Sequence, residues 1–190
     1  LGRRQLNRDQ FQQGLGLGFL FRVLLGDAVK EHPFVGGVLV HQEHAGRPLG
    51  HDVGELELAN HLQRIKYILP EAKVKEMQKL PIWLDHHYEP LGSMQYHPGA
   101  TWLRANKHDP RLVKHVHIPR AKALLDRGQW AKHPYVVLHE LSHAYHDQML
   151  NNGFENEEVL GAYNEAKEKG IYEKVLLYNG RMVKHYGLSN

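Results

Sequence analysis

Two histidines four residues apart, His139 and His143, bracket Glu140 in the run Val137-Leu138-His139-Glu140-Leu141-Ser142-His143. On a helix, positions i and i+4 share one face, so both imidazoles can reach a single Zn²⁺. Glu140 stands beside them, placed to take a proton from a water activated on the metal. That is the chemistry of metal-assisted peptide hydrolysis. The chain has 16 histidines in 190 residues, which raises the frequency of chance HExxH patterns. The surroundings argue for a site. Tyr135, Val136, Val137, Leu138, Leu141, Ala144, Tyr145 and Met149 predict a helix buried over much of its surface. Ionisable groups inside such a helix are costly to bury unless something binds them. Pro134 suits the helix start and Asn151-Asn152-Gly153 its stop.

Catalytic zinc needs three protein ligands and an open position. His146 shares the face of His139 and His143, but the three form a row about 10 Å long, too long for one ion. The pattern HExxHxxGxxH fails, because His146 occupies the glycine position and Met149 that of the last histidine. A glutamate on a following helix is the next option. The segment Gly161-Ala162-Tyr163-Asn164-Glu165-Ala166 resembles one that supplies such a glutamate in thermolysin-like enzymes, and Glu165 lies 22 residues past His143. Glu155, Glu157, Glu158 and Glu168 are the alternatives. Asp147 or Asn164 is placed to orient a ligand histidine through its second nitrogen.

The elements that must position these groups read as an α+β arrangement. Leu62, Ile65, Ile68 and Leu69 have helical spacing ended by Pro70, and 71–80 predicts a second short helix with Val74, Met77 and Leu80 inward. Pro81-Ile82-Trp83-Leu84 predicts a buried strand, and 88–99 reads as loop. Lys114-His115-Val116-His117-Ile118 alternates with period two and predicts a half-buried strand bordering the cleft, its histidines toward solvent. His86, His87, His97, His108 and His133 fall beside turn residues and read as surface. A short helix is expected over 121–126 and an acidic-fronted helix over 155–169. Tyr178-Asn179-Gly180 predicts a hairpin turn between 174–177 and 181–184.

Composition shifts near residues 59–62. Residues 1–60 hold ten of the 18 glycines, no tyrosine, no tryptophan and one lysine. They read as a glycine-rich extension, poorly ordered or foreign to the rest, with 61–190 as the folded domain. The net charge of +3 without a basic run gives no case for nucleic acid. With no cysteine, zinc cannot be held by thiolates, and the composition suits a secreted protein. No apolar run is long enough to span a membrane. The apolar stretch 14–25 is interrupted by glycine and lacks a small-residue cleavage site, so it is not read as a signal peptide. The chain begins with Leu1, so a targeting segment can precede it.

From about Leu80 onward the chain resembles the anthrax-lethal-factor-like metallopeptidases. The resemblance rests on PIWL (81–84), YHPGATWL (96–103), VHIP (116–119), VLHELSHAYHDQ (137–148), AYNEA (162–166), IYEKV (171–175) and HYGLSN (185–190). It implies a gluzincin: a zincin-like domain with a small mixed sheet and an HExxH active-site helix. It implies His139 and His143 as zinc ligands, Glu140 as general base and Tyr186 as the group that stabilises the oxyanion. It also implies a third ligand glutamate just beyond Asn190, so that the chain is expected to be truncated at its C-terminus. The expected activity is zinc-dependent endopeptidase action on peptides or proteins. The alternative is an inactive zincin-fold module that binds metal or peptide without catalysis.

Overall fold

A computed structural model describes residues 40–41, 51–177 and 179–184. Most of the glycine-rich stretch 1–60 lies outside the described residues, and so does Tyr186. The fold is α+β. The described residues fall into two compact units, one ending at Phe154 and the other beginning at Glu155. Among the described residues no helix is long and apolar enough to cross a membrane.

The first unit is built on a four-stranded mixed sheet. Its strands are β1 (Val40–His41), β2 (Ile82–Leu84), β3 (Gln95–Tyr96) and β4 (Val116–Ile118), in the order β1-β2-β4-β3. β1, β2 and β4 run parallel, and β3 runs antiparallel to β4. The register sets Ile82 against Val116, Trp83 against His117 and Leu84 against Ile118. Period-two alternation then sorts the side chains into two faces. Ile82, Leu84, Val116 and Ile118, all essentially without exposed surface, share one face with Tyr96, which stands opposite Val116. Trp83 and His117 share the other, where Leu103 and Leu112 cover Trp83.

Two sequence expectations change here. β4 is an interior strand, paired on both sides, so it does not offer an edge to a cleft; the edge beside it is β3, inside the expected loop 88–99. His117 is fully buried rather than solvent-facing, and His97 and His108 are buried too, whereas His86, His87 and His133 are exposed as expected.

Helices close the first unit. α1 (His51–Ile68) buries Leu58, His61 and Ile65 at helical spacing, with Leu69 just past its end. It runs unbroken through residues 59–62, where the composition changes. Pro70 ends it, because the ring of a proline disfavours helical geometry in the residue before it. Pro70 then leads into α2 (Glu71–Met77). α3 (Ala100–Ala105) and α4 (Arg127–Lys132) are short, and Asp126 caps α4 by accepting from the Gln129 N–H at 2.6 Å. α5 (Val136–Met149) packs against α1, α2, β3 and β4. It stops at Leu150, followed by Asn152 and Gly153 in left-handed geometry (φ 62° and 52°). The second unit holds α6 (Glu157–Glu168), capped by Asn156, and the expected hairpin of β5 (Val175–Leu176) and β6 (Met182–Val183), turned through Gly180 at φ 80°.

Gly54 lies in α1 where the helix crosses the 3-10 turn Ala121–Leu125. A Cβ there would meet the Ala121 Cβ at 2.5 Å and its Cα at 3.3 Å. In an open helix, glycine to alanine gains up to about 1 kcal/mol, but overpacking against a fixed neighbour costs about 1–3 kcal/mol, so the clash wins. Gly54→Ala should therefore lower the thermal midpoint by several degrees; an unchanged or raised midpoint would show that α1 can slide off the turn.

Candidate metal centre on α5

α5 is apolar over most of its surface: Val137, Leu138, Leu141, Ala144 and Tyr145 are all buried. That burial carries the motif inward. His143 keeps 6% of its surface exposed and Glu140 9%, and His139 is half-buried. The Nε2 atoms of His139 and His143 approach to 3.0 Å, with their rings near perpendicular at 83°. Two nitrogens at Zn–N bond length in a tetrahedral site stand about 3.3 Å apart, so the pair is close to the spacing a shared ion requires. Nδ1 of His143 is buried with no hydrogen-bond partner among the described residues.

Burial dominates the protonation of these groups. It pushes His143 down to about 3, helped by His139 and His146, so the ring is neutral near pH 7, as a nitrogen ligand must be. Burial pushes the Glu140 carboxyl up to about 8, against the pull of one hydrogen bond. That bond is the Tyr96 backbone N–H donating to Glu140 Oε2 at 3.0 Å. It exists because of the sheet edge. Across from β4, His97 uses both its backbone groups, its N–H donating to the His115 carbonyl and its carbonyl accepting from the Lys114 N–H. Backbone groups alternate in direction along a strand, so those of Tyr96 turn to the free edge, where Glu140 stands. Lys114 and His115 together oppose His97, a β-bulge with Lys114 in left-handed geometry at φ 62°.

The bulge sends the Lys114 side chain back to α5. Its Nζ donates to Asp147 Oδ2 at 2.5 Å, and the Tyr96 hydroxyl donates to the same oxygen at 2.5 Å. Asp147 is therefore engaged by Lys114 and Tyr96 and does not orient a ligand histidine as expected. Burial, with the Asp147 carboxylate next in weight, raises the Tyr96 phenol well above its ordinary range, so it stays a donor. His146 is fully buried, edge-on to Phe154, and burial lowers it to about 4.

The structure thus brings together His139, His143 and Glu140, and adds Tyr96 and Lys114, which sequence reasoning missed. A two-residue strand has no periodicity to detect, and the only sign of Tyr96 was its place in the segment 96–103. The remaining third-ligand candidates belong to the second unit. Glu165 lies on α6 in the other unit, exposed and paired with Lys169 at 2.5 Å, and Glu155, Glu157, Glu158 and Glu168 are exposed as well. Among the described residues no group of three or more His, Asp or Glu side chains is close enough to hold a metal ion.

The opposite face of the sheet carries a second polar cluster. Asp85 Oδ2 meets His117 Nε2 at 2.8 Å, and His117 Nδ1 meets His97 Nε2 at 3.3 Å. A chain in which Asp85 accepts from His117 and His117 accepts from His97 satisfies all three. Tyr88 hydroxyl lies 3.2 Å from His108 Nδ1, and Trp102 stacks on both His97 and His108. Comparison with family models, with curated proteins and with solved structures gives no match.

Burial, then the neighbouring imidazoles, lowers His97 from 6.5 to about 3. Between those values unfolding takes up a proton, so the stability His97 contributes is complete above pH 6.5 and is lost as the pH falls toward 3. The thermal midpoint should fall steadily as the pH is lowered through this window, and the ring carbon shifts of His97 should keep their neutral values at about pH 5. Protonation of that ring near pH 6 would contradict the burial assigned to it.

Proposed function

We propose that this protein is a zinc-dependent metalloendopeptidase with a zincin-like fold, related to the anthrax-lethal-factor-like group that its motifs resemble. The observation that carries the reading is the convergence of the His139 and His143 Nε2 atoms to 3.0 Å on a buried helix, next to a glutamate anchored by the sheet edge. Imidazole nitrogens in a cysteine-free chain suit Zn²⁺. His139 and His143 would hold the ion, with a glutamate from outside α5 as third ligand. When bound, Zn²⁺ supplies Lewis acidity that polarises a scissile carbonyl and acidifies water.

The remaining chemistry belongs to the protein. Glu140, which a nearby cation would hold in its ionised form, accepts the proton of the attacking water and returns it to the leaving amine. Its Oε2 is fixed by the Tyr96 N–H, which leaves the other oxygen for proton transfer. β3 is an edge strand next to Glu140, so an extended peptide can run along it and present its carbonyl to the site. Tyr186 is assigned the oxyanion by resemblance. A second reading, a module that binds metal or peptide without catalysis, draws on the two-histidine limit among the described residues.

Glu140→Gln should retain zinc and lose peptide hydrolysis by at least about a hundredfold, whereas His143→Ala should lose zinc itself. Zinc content by mass spectrometry and turnover of a quenched peptide library separate the two variants. Hydrolysis surviving in purified Glu140→Gln would sink the mechanism. Zinc binding without turnover in the unaltered chain would favour the non-catalytic module. A loss of zinc in Glu165→Ala would identify the third ligand that the sequence suggests.

Zinc that binds only the folded chain must also stabilise it, by about 2.7 kcal/mol at a hundredfold excess over the dissociation constant. The thermal midpoint should rise with added zinc and fall back with a chelator. A midpoint indifferent to zinc would remove the metal from the reading.

A further inference from the structure

Tyr96 touches α5 twice, two helical turns apart. Its backbone N–H reaches Glu140 and its phenol reaches Asp147, seven residues further along the same helix. Asp147 is in turn held by Lys114, and Gln148 closes the arrangement by donating to the Lys114 carbonyl at 3.1 Å. Tyr96 is 6% exposed and the Asp147 side chain 13%, so the bond between them is shielded from competing water, while Lys114 joins it from the half-exposed side. Lys114 owes its position to the bulge, where its N–H meets the His97 carbonyl at 2.6 Å. The result is a closed loop of contacts from β3 to α5, from α5 to the bulge, and from the bulge back to β3.

We propose that Tyr96 and the Asp147–Lys114 ion pair are positioning residues for Glu140. The phenol anchors β3 along α5, and this anchoring sets where the Tyr96 N–H lies relative to the Glu140 carboxylate. Without the anchor β3 is held only by its pairing with β4 and the single bond from the Tyr96 N–H to Glu140, and a two-residue edge strand so weakly held frays readily. The Glu140 carboxylate then loses the donor that fixes its Oε2. The role of Glu140 as base rests on the function proposed above, but the linkage from Asp147 to the Tyr96 N–H does not.

Two measurements test it apart from each other. The first is amide hydrogen exchange on the zinc-free chain, followed at position 96 with the β4 amides as internal reference. Glu140→Ala should raise exchange at position 96 roughly tenfold with β4 unchanged, because the N–H loses its acceptor. Tyr96→Phe and Asp147→Asn keep the backbone and the side-chain shape, and should raise exchange at the same amide. Lys114→Met should do likewise and Lys114→Arg should restore protection. The second measurement is turnover of the zinc-loaded chain. Tyr96→Phe and Asp147→Asn should lower kcat about ten- to a hundredfold, with KM and zinc content unchanged.

Unchanged exchange at position 96 in Tyr96→Phe and Asp147→Asn would overturn the proposal. Exchange rising equally in β4 would also overturn it, since the residues would then serve general stability. If the unaltered chain shows no turnover, the peptidase reading fails and the exchange experiment alone decides the positioning role.

Discussion

The structure around the site depends on one constraint: a carboxyl and an imidazole have been taken out of water on the same helix. An isolated buried carboxylate or imidazolium costs several kcal/mol, so each group shifts toward its neutral form or finds partners. His143 takes the first course, held neutral by burial. Glu140 takes both, raised to about 8 by burial and given one hydrogen bond by Tyr96. The apolar rows of α5 make the burial possible. Fully burying a leucine or valine contributes about 1.5–3 kcal/mol, and Val137, Leu138 and Leu141 are all buried. Three such side chains offset the desolvation of two polar ones, which is why the motif sits in a helix with buried apolar rows.

The sheet divides labour between its faces. Toward α5 it presents Ile82, Leu84, Val116 and Ile118, a dry apolar surface against which a helix can pack closely. The other face holds Trp83, His117 and His97, and its polar atoms are joined by hydrogen bonds to Asp85. A buried polar network is stable only when its members are satisfied, and Asp85 serves this by accepting from both Trp83 Nε1 and His117 Nε2. α2 is fastened to α5 by a similar device: Lys73 donates to the Tyr145 hydroxyl at 2.6 Å, and that hydroxyl donates to Glu76. At the far end of α1, Arg64 lies over the Trp130 ring at 4.5 Å, and Trp130 donates to the Leu124 carbonyl. These contacts tie α2 to α5, and α4 to α1 and to the 3-10 turn Ala121–Leu125.

Elements with a strong local signal were legible in sequence. The α5 helix, the break at Pro70, the strand at 82–84 and the turn through Gly180 each follow from periodicity or from a residue with a special backbone preference. What was not legible depends on partners distant in sequence. Burial of His117 requires Asp85, 32 residues away, and burial of His97 requires His117, 20 residues away; neither partnership leaves a mark on the local pattern. β1 and β3 are two residues each, too short for alternation to register. Lys114 reads as an ordinary strand residue, yet it takes left-handed geometry, at a cost of about 1–2 kcal/mol, because the bulge aims its side chain at Asp147. The composition change at 59–62 was visible but does not mark a break in α1, since helix formation follows the placement of Leu58, His61 and Ile65 rather than glycine content.

An edge strand ordinarily exposes unpaired backbone groups that invite another chain to pair with it. β3 restricts that in two ways: it is only two residues long, and the Tyr96 N–H is already committed to Glu140. The same bond limits where any added strand can lie. A peptide running along β3 cannot take the Tyr96 N–H without displacing the carboxylate, so its register is confined to the remaining edge groups. Glu140 is therefore both the stop that fixes the register and the group nearest to it. In the proposed peptidase this makes substrate alignment and proton transfer consequences of one contact, and it explains why the sheet edge, rather than a loop, meets the glutamate of the motif.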